Sequence, residues 1–146
     1  MKKLLLLLLL FLIGCSEPEP LNYQLLEERD GVHYRKDTNK IYSGPVFILD
    51  GGYKEELYLK KGKFHGQYKL YNYNGQLLYE VTLKNGKEDG PYKWYYENGQ
   101  LKEEGTFKNG KEDGPYKWYY ENGQLKQEGT YKNGELDGPY KYYQEK

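Results

Sequence analysis

Gly90 to Asp113 reads GPYKWYYENGQLKEEGTFKNGKED, and Gly114 to Asp137 reads GPYKWYYENGQLKQEGTYKNGELD. The two blocks are 24 residues each and differ only at Glu103/Gln127, Phe107/Tyr131, Lys111/Glu135 and Glu112/Leu136. Gly66 to Asp89 is a looser copy in the same register, and Gly44 to His65 is a copy two residues shorter. Gly138 to Lys146 begins one more. Self-similarity at a fixed period of this length is the mark of a repeat array, in which one small unit cannot bury its own apolar face and stacks on its neighbours.

Within each copy, Asn98-Gly99 and Asn122-Gly123 lie between runs rich in aromatics, which predicts type I′ hairpin turns. Asn74-Gly75 and Asp50-Gly51 hold the same place upstream. A second set of breakers follows each returning strand: Asn85-Gly86, Asn109-Gly110 and Asn133-Gly134, then Asp89-Gly90, Asp113-Gly114 and Asp137-Gly138. Pro91, Pro115 and Pro139 fall at expected strand starts, where a missing N–H matters least. No stretch keeps a helical apolar period. The reading is all-β: an antiparallel β-hairpin repeat array, elongated, curved and single-layered, over residues 44–146. Residues 21–43 are less regular and read as an N-terminal cap with one short hairpin.

The turn fixes an expected pairing. If Glu97 faces Gln100, then Tyr96 faces Leu101, Trp94 faces Glu103 and Tyr92 faces Gly105. Alternation then puts Tyr92, Trp94, Tyr96, Leu101 and Phe107 on one face, and Lys93, Tyr95, Lys102, Glu104 and Thr106 on the other. Gly105 and Gly129 come opposite Tyr92 and Tyr116, so a ring can lie across bare backbone.

Two residue columns are candidate contact surfaces. The first is an aromatic stripe of Tyr92, Trp94, Tyr96, Tyr116, Trp118, Tyr120, Tyr140 and Tyr142. Each large ring carries on the order of 150–250 Å², more in sum than the few hundred Å² a monomer usually leaves bare. Either the sheet curls or stacks so that the stripe becomes core, or the stripe is a groove for a partner or glycan. The second column, Tyr71, Tyr95, Tyr119 and Tyr143, falls among charges on the opposite face and is the better candidate for exposed contact. Identical neighbouring strands also invite self-association through their edges.

The N-terminus reads separately. Lys2 and Lys3 precede an apolar run from Leu4 to Ile13, the layout of a secretory signal over residues 1–14. Ten apolar residues are too few to span a bilayer, which takes about 20 in a helix. Leu12-Ile13-Gly14-Cys15 resembles the lipobox of bacterial lipoproteins, which implies acylation of Cys15 and cleavage before it. Residues 15–20, with Ser16-Glu17-Pro18-Glu19-Pro20, form a stiff spacer. By resemblance to enteric sorting rules, Ser16 favours the outer membrane of a Gram-negative cell. The expected location is the cell envelope, outside the cytoplasm and lipid-anchored to the membrane.

Composition narrows the chemistry. The whole chain balances 22 basic against 22 acidic residues, and loss of Lys2 and Lys3 leaves it slightly acidic with no basic block. Nucleic-acid binding, which draws on phosphate neutralisation, is disfavoured. Cys15 is the only cysteine, and His33 and His65 are the only histidines; both read as surface or turn residues. A zinc or histidine-based catalytic site lacks partners, so no cofactor, metal or enzymatic activity is expected. The Asp-Gly pairs recur too sparsely for calcium repeats. Repeated Glu and Asp alternating with Lys read as a solvated cross-strand ion-pair face.

Glu104-Gly105-Thr106-Phe107-Lys108-Asn109-Gly110-Lys111-Glu112-Asp113-Gly114-Pro115-Tyr116 resembles the MORN repeat, and more closely the bacterial MORN-variant proteins grouped as antitoxin-like. Arg29-Asp30-Gly31-Val32-His33-Tyr34, with Tyr42-Ser43-Gly44 after it, is similar to the lead-in of that group. The resemblance implies rows of hairpins and a scaffolding role, with lipid association in some members and an antitoxin- or immunity-like role for this group. Trp94-Tyr95-Tyr96-Glu97-Asn98-Gly99-Gln100-Leu101 also resembles the hairpins of choline- and glucan-binding repeats. The leading expectation is a non-catalytic module that holds a protein partner along its sheet, with recognition of cell-wall or host carbohydrate as the alternative.

Overall fold

A computed structural model describes residues 18–146. The expected signal segment and Cys15, the expected site of lipidation, lie outside the described residues. The described chain is almost entirely β. Leu21–Asn22 (β1), a 3₁₀ turn at Tyr23–Leu25, and the hairpin Leu26–Arg29 (β2) and Val32–Arg35 (β3) come first. The long strands follow in antiparallel succession: Gly44–Asp50 (β4), Tyr53–Lys60 (β5), Gly66–Tyr71 (β7), Leu77–Lys84 (β8), Lys87–Tyr95 (β9), Leu101–Lys108 (β10), Gly114–Tyr119 (β12) and Leu125–Lys132 (β13). Two-residue strands Lys63–Phe64 (β6), Lys111–Glu112 (β11), Glu135–Leu136 (β14) and Lys141–Tyr142 (β15) complete one open 13-stranded sheet. β1 pairs parallel with β4, and β2–β3 stand apart as a two-stranded sheet. Ten strands side by side, at about 4.8 Å spacing, give a ribbon roughly 40 Å across.

The two breaker sets exchange the roles expected of them. Type I′ turns need positive φ at both central residues. Asn85-Gly86, Asn109-Gly110 and Asn133-Gly134 meet that requirement, with φ of 53°/83°, 53°/82° and 53°/88°. At Asn98-Gly99 only Gly99 has positive φ, so the expected type I′ turn is absent there. The Gly99 amide instead donates to the Tyr96 carbonyl, the Tyr96 amide to the Gln100 carbonyl, and the Gln100 amide to the Asn98 side chain. This is a type I turn closed by a left-handed glycine, a longer loop than a two-residue turn. In the first hairpin the tight turn falls on Gly51-Gly52 rather than Asp50-Gly51, because Asp50 still pairs with Tyr53.

The longer loop shifts the end of the register. Trp94 faces Glu103 and Tyr92 faces Gly105, as expected, but Leu101 comes opposite Tyr95 instead of Tyr96 across an irregularity between Leu101 and Glu103. Tyr96 therefore leaves the aromatic stripe for the loop. Pro115 falls at the start of β12 as expected and Pro139 outside any strand, but Asp89-Gly90-Pro91 lies inside β9, where the pairing with β8 skips between Val81 and Leu83. The ring's missing N–H sits at this bulge, outside the regular ladder.

Along the middle of the sheet the cross-strand pairs line up in two rows, one on each face. On one face Glu55, Leu70, Tyr79, Trp94, Glu103, Trp118, Gln127 and Tyr142 are successive cross-strand partners. On the other face the row is Glu56, Lys69, Glu80, Lys93, Glu104, Lys117, Glu128 and Lys141, strictly alternating in charge. Opposite charges on facing strands favour this register by about 0.2–1 kcal/mol per pair, and a one-residue slip would place each side chain on the wrong face.

Of the stripe, Tyr92 and Tyr116 are core, whereas Trp94, Tyr140 and Tyr142 are exposed, and the rest of the core is built of aliphatic and aromatic residues upstream. Val46, Leu57 and Leu59 bury against Leu26 of the cap, with Tyr68 and Leu83 packed around them. Tyr79, Val81 and Tyr92 form the next cluster, joined by Phe107, and Tyr116 is equally buried. Tyr92 and Tyr116 are only 2% exposed because each ring lies on the glycine opposite. A Cβ on Gly105 would sit 2.8 Å from the Tyr92 ring, and one on Gly129 would sit 2.8 Å from Tyr116. His33 is also core rather than surface, contrary to expectation: it is 3% exposed, between Tyr23 and Phe64. Its Nδ1 donates to the Gly62 carbonyl at 2.8 Å, and its Nε2 lies 2.8 Å from the Tyr23 hydroxyl. The ring ties the cap to the turn between β5 and β6.

Candidate functional site

The column Tyr71, Tyr95, Tyr119 and Tyr143 does not stand free on the charged face. Tyr71, Tyr95 and Tyr119 are half-buried, and only Tyr143 counts as exposed. Each hydroxyl donates to a glutamate 15 residues earlier: Tyr71 to Glu56 at 3.2 Å, Tyr95 to Glu80 at 2.7 Å, Tyr119 to Glu104 at 2.7 Å and Tyr143 to Glu128 at 2.8 Å. A tyrosine leaving one hairpin thus clamps the carboxylate of the hairpin before it. Among the described residues of this row, only Lys141 and Glu128 approach within ion-pair distance, at 3.7 Å. Phenols make most of the bonds, although Glu56 also accepts from Lys54 of its own strand at 2.6 Å. The constant 15-residue offset is visible in the sequence and was the signal that could have revealed the clamp.

On the aromatic face the same chemistry is buried. The Tyr79 hydroxyl donates to Glu88 at 2.8 Å. The Tyr92 hydroxyl lies 2.7 Å from Glu103 and 2.6 Å from Glu112, and its single proton serves one carboxylate at a time. Burial, reinforced by these carboxylates, pushes both phenols well above their ordinary range. One repeat later Gln127 replaces Glu103 and Leu136 replaces Glu112, and there the Gln127 amide donates to Tyr116 at 2.5 Å.

The later hairpin ends also interlock. Tyr96 donates to the Tyr119 carbonyl at 2.7 Å, and the Asn98 amide to the Glu121 carbonyl at 3.1 Å. Between the first and second hairpins the short Gly51-Gly52 turn meets the longer Asn72–Gln76 loop, and the ends do not match. A notch of about 710 Å³ opens there, lined by Leu49, Tyr53, Lys54, Glu56, Tyr71 and Tyr73. Leu49, Tyr53 and Tyr73 are 61%, 50% and 81% exposed. The sequence did not single these three out, although the two-residue deficit of the first copy marks the place.

Trp94 and Trp118 occupy one row of the aromatic face but differ in their surroundings. Trp94 is 38% exposed and stacks on Tyr79, ring centroids 4.0 Å apart. Trp118 meets only the edge of Tyr116 and lines a smaller pocket.

The class is therefore an open antiparallel sheet of hairpin repeats whose units touch their neighbours through turns, loops and tyrosine clamps. Three segments match the MORN repeat variant, at residues 64–85, 88–109 and 112–133. Each match starts within or just before a bulge and closes on the asparagine of a type I′ turn, so the family unit and the structural unit share one phase. No curated protein matches the chain.

Titration of the clamps is testable. Burial first, then the hydrogen bonds to Glu80 and Glu104, push Tyr95 and Tyr119 up to about 12. A phenol whose folded pKa lies above its unfolded value stabilises the fold fully below that value and progressively less as pH rises through the folded one. Thermal stability should hold constant up to about pH 10 and fall between about 10 and 12, with the phenolate absorbance rising alongside it. Ionisation of all the tyrosines near pH 10 with the fold intact would show that the clamps do not form.

Proposed function

We propose that the protein is a non-catalytic interaction module, exported and held at the cell envelope by a lipid on Cys15, that grips a protein partner at its hairpin ends. The repeat architecture supports a protein- or membrane-interaction role in general. One observation narrows it: the notch where Leu49, Tyr53 and Tyr73 stand exposed at the mismatch between the first two hairpins. Tyrosine is enriched at binding hot spots, and a notch floored by apolar and aromatic groups with Lys54 and Glu56 at its side suits an inserted loop or peptide. In the tyrosine column first considered for this role, Tyr71, Tyr95 and Tyr119 are engaged with glutamates of the sheet, which favours the hairpin ends as the contact surface. An antitoxin- or immunity-like role fits this reading if the partner is a toxin domain met outside the cytoplasm. The mixed charge rows give phosphate backbones no purchase.

Crosslinking pull-down from intact cells tests the surface. Wild type should capture one stoichiometric protein, Tyr53→Ala/Tyr73→Ala should lose it, and Tyr95→Ala/Tyr119→Ala should keep it wherever the fold survives. Retention by the Tyr53/Tyr73 pair would refute the notch. In the same cells Cys15→Ser should move the protein from the membrane fraction to the soluble fraction; continued membrane residence would refute the anchor.

A further inference from the structure

Adjacent repeats provide an internal control for a small-molecule site. In one, Tyr79 lies flat against Trp94, with centroids 4.0 Å apart and planes 23° apart. In the next, the residue in Tyr79's place is Glu103 and the residue in Trp94's place is Trp118, by the same cross-strand pairing. No aromatic ring replaces Tyr79 there. A pocket of about 320 Å³ opens beside Trp118, lined by Tyr96, Lys102, Glu103, Tyr119 and Lys126.

Two further observations concern polarity. Among the described residues the Trp118 indole N–H is the buried side-chain polar atom without a hydrogen-bond partner, a costly state unless something supplies an acceptor. The pocket rim also carries a carboxylate and two ammonium groups around an indole. Glu103 already holds the Tyr92 hydroxyl and the two ammonium groups lie over the Tyr96 and Tyr120 rings, so a purely aromatic ligand would desolvate all three without adding a bond to any. A ring with one apolar face and hydroxyls at its edge would stack as Tyr79 does and bond the rim. In the repeat that follows Trp118, Gln127 again adds a polar side chain to the row.

We propose that this pocket binds a pyranose sugar, its ring stacked on Trp118 in the position that Tyr79 takes on Trp94, with hydroxyls bonded to Glu103, Lys102 and Lys126. The site is independent of the hairpin-end notch, so either can stand without the other. A ring of this size held by one stacking face and a few hydrogen bonds binds with a Kd on the order of 1 mM.

The test uses the ¹⁵N-labelled full chain. The protein has two tryptophans and hence two indole N–H signals, assigned with Trp94→Phe. Methyl β-glucopyranoside is the sugar probe and p-cresol the aromatic control. The Trp118 signal should shift saturably with the sugar while the Trp94 signal stays in place. Glu103→Tyr refills the pocket with the ring its neighbour already carries and leaves Glu112 to hold the Tyr92 hydroxyl, so it should keep the fold and weaken sugar binding by about tenfold or more. A Trp118 signal indifferent to the sugar overturns the proposal, as do equal binding by Glu103→Tyr and a response to p-cresol alone.

Discussion

A sheet one layer thick has no second sheet or helix to cover its apolar face, and the rest of this structure follows from how the repeat answers that constraint. The last two full repeats lay a tyrosine ring across a glycine of their own returning strand, Tyr92 on Gly105 and Tyr116 on Gly129, where the first two pair Val46 with Leu57 and Tyr68 with Val81. A bare backbone lets the ring lie flat and close, so a side chain takes the part that a second layer plays in a sandwich. A phenylalanine could cover the backbone as well, but tyrosine carries a hydroxyl that reaches past the covered strand. That hydroxyl finds Glu103 and Glu112 in one repeat and Gln127 in the next. On the opposite face tyrosines 15 residues downstream of each glutamate bind the preceding hairpin. The abundance of tyrosine, 19 in 146 residues, is the composition such a sheet requires.

Because units touch only their neighbours, small departures from the repeat have local effects. The first hairpin is two residues short, and its end fails to meet the next loop, exposing Leu49, Tyr53 and Tyr73. Exchange of Tyr79 for Glu103 uncovers the flank of Trp118 and leaves a pocket. Exchange of Glu112 for Leu136 changes a buried hydroxyl partner into an exposed apolar side chain. Solenoids generally behave in this way: a shared frame, with specificity held in the positions where the copies disagree.

Most of the frame was legible in the sequence. The period, the all-β class and the central register of Trp94 with Glu103 and Tyr92 with Gly105 follow from alternation and repetition alone. The errors came where two Asn-Gly pairs per repeat compete for one kind of turn. The dipeptide permits both a type I′ turn and a type I turn closed by glycine, and only the number of residues between paired strands separates them. Five residues separate Tyr71 from Leu77 and Tyr95 from Leu101, which is too many for the first kind. His33 read as a surface residue because its partners, Tyr23 and the Gly62 carbonyl, come from distant parts of the chain. The tyrosine column read as exposed because alternation assigns a face but not the reach of a phenol across it. The contact sites at the notch and beside Trp118 arise from mismatches between copies, and a reading built on what the copies share passes over them.

The claim that glycine serves to seat the tyrosine ring is tested most directly by the equilibrium stability of Gly105→Ala in urea. In an ordinary strand, alanine replacing glycine stabilises by about 0.5–1 kcal/mol. Gly105 lacks a positive φ, so its backbone accepts alanine, and the Tyr92 ring 2.8 Å from the new Cβ is the obstacle. The account predicts a loss of about 1–3 kcal/mol, the cost of overpacking. A variant as stable as wild type, or more stable, would mean that the ring does not rest on the backbone and that something else covers the sheet.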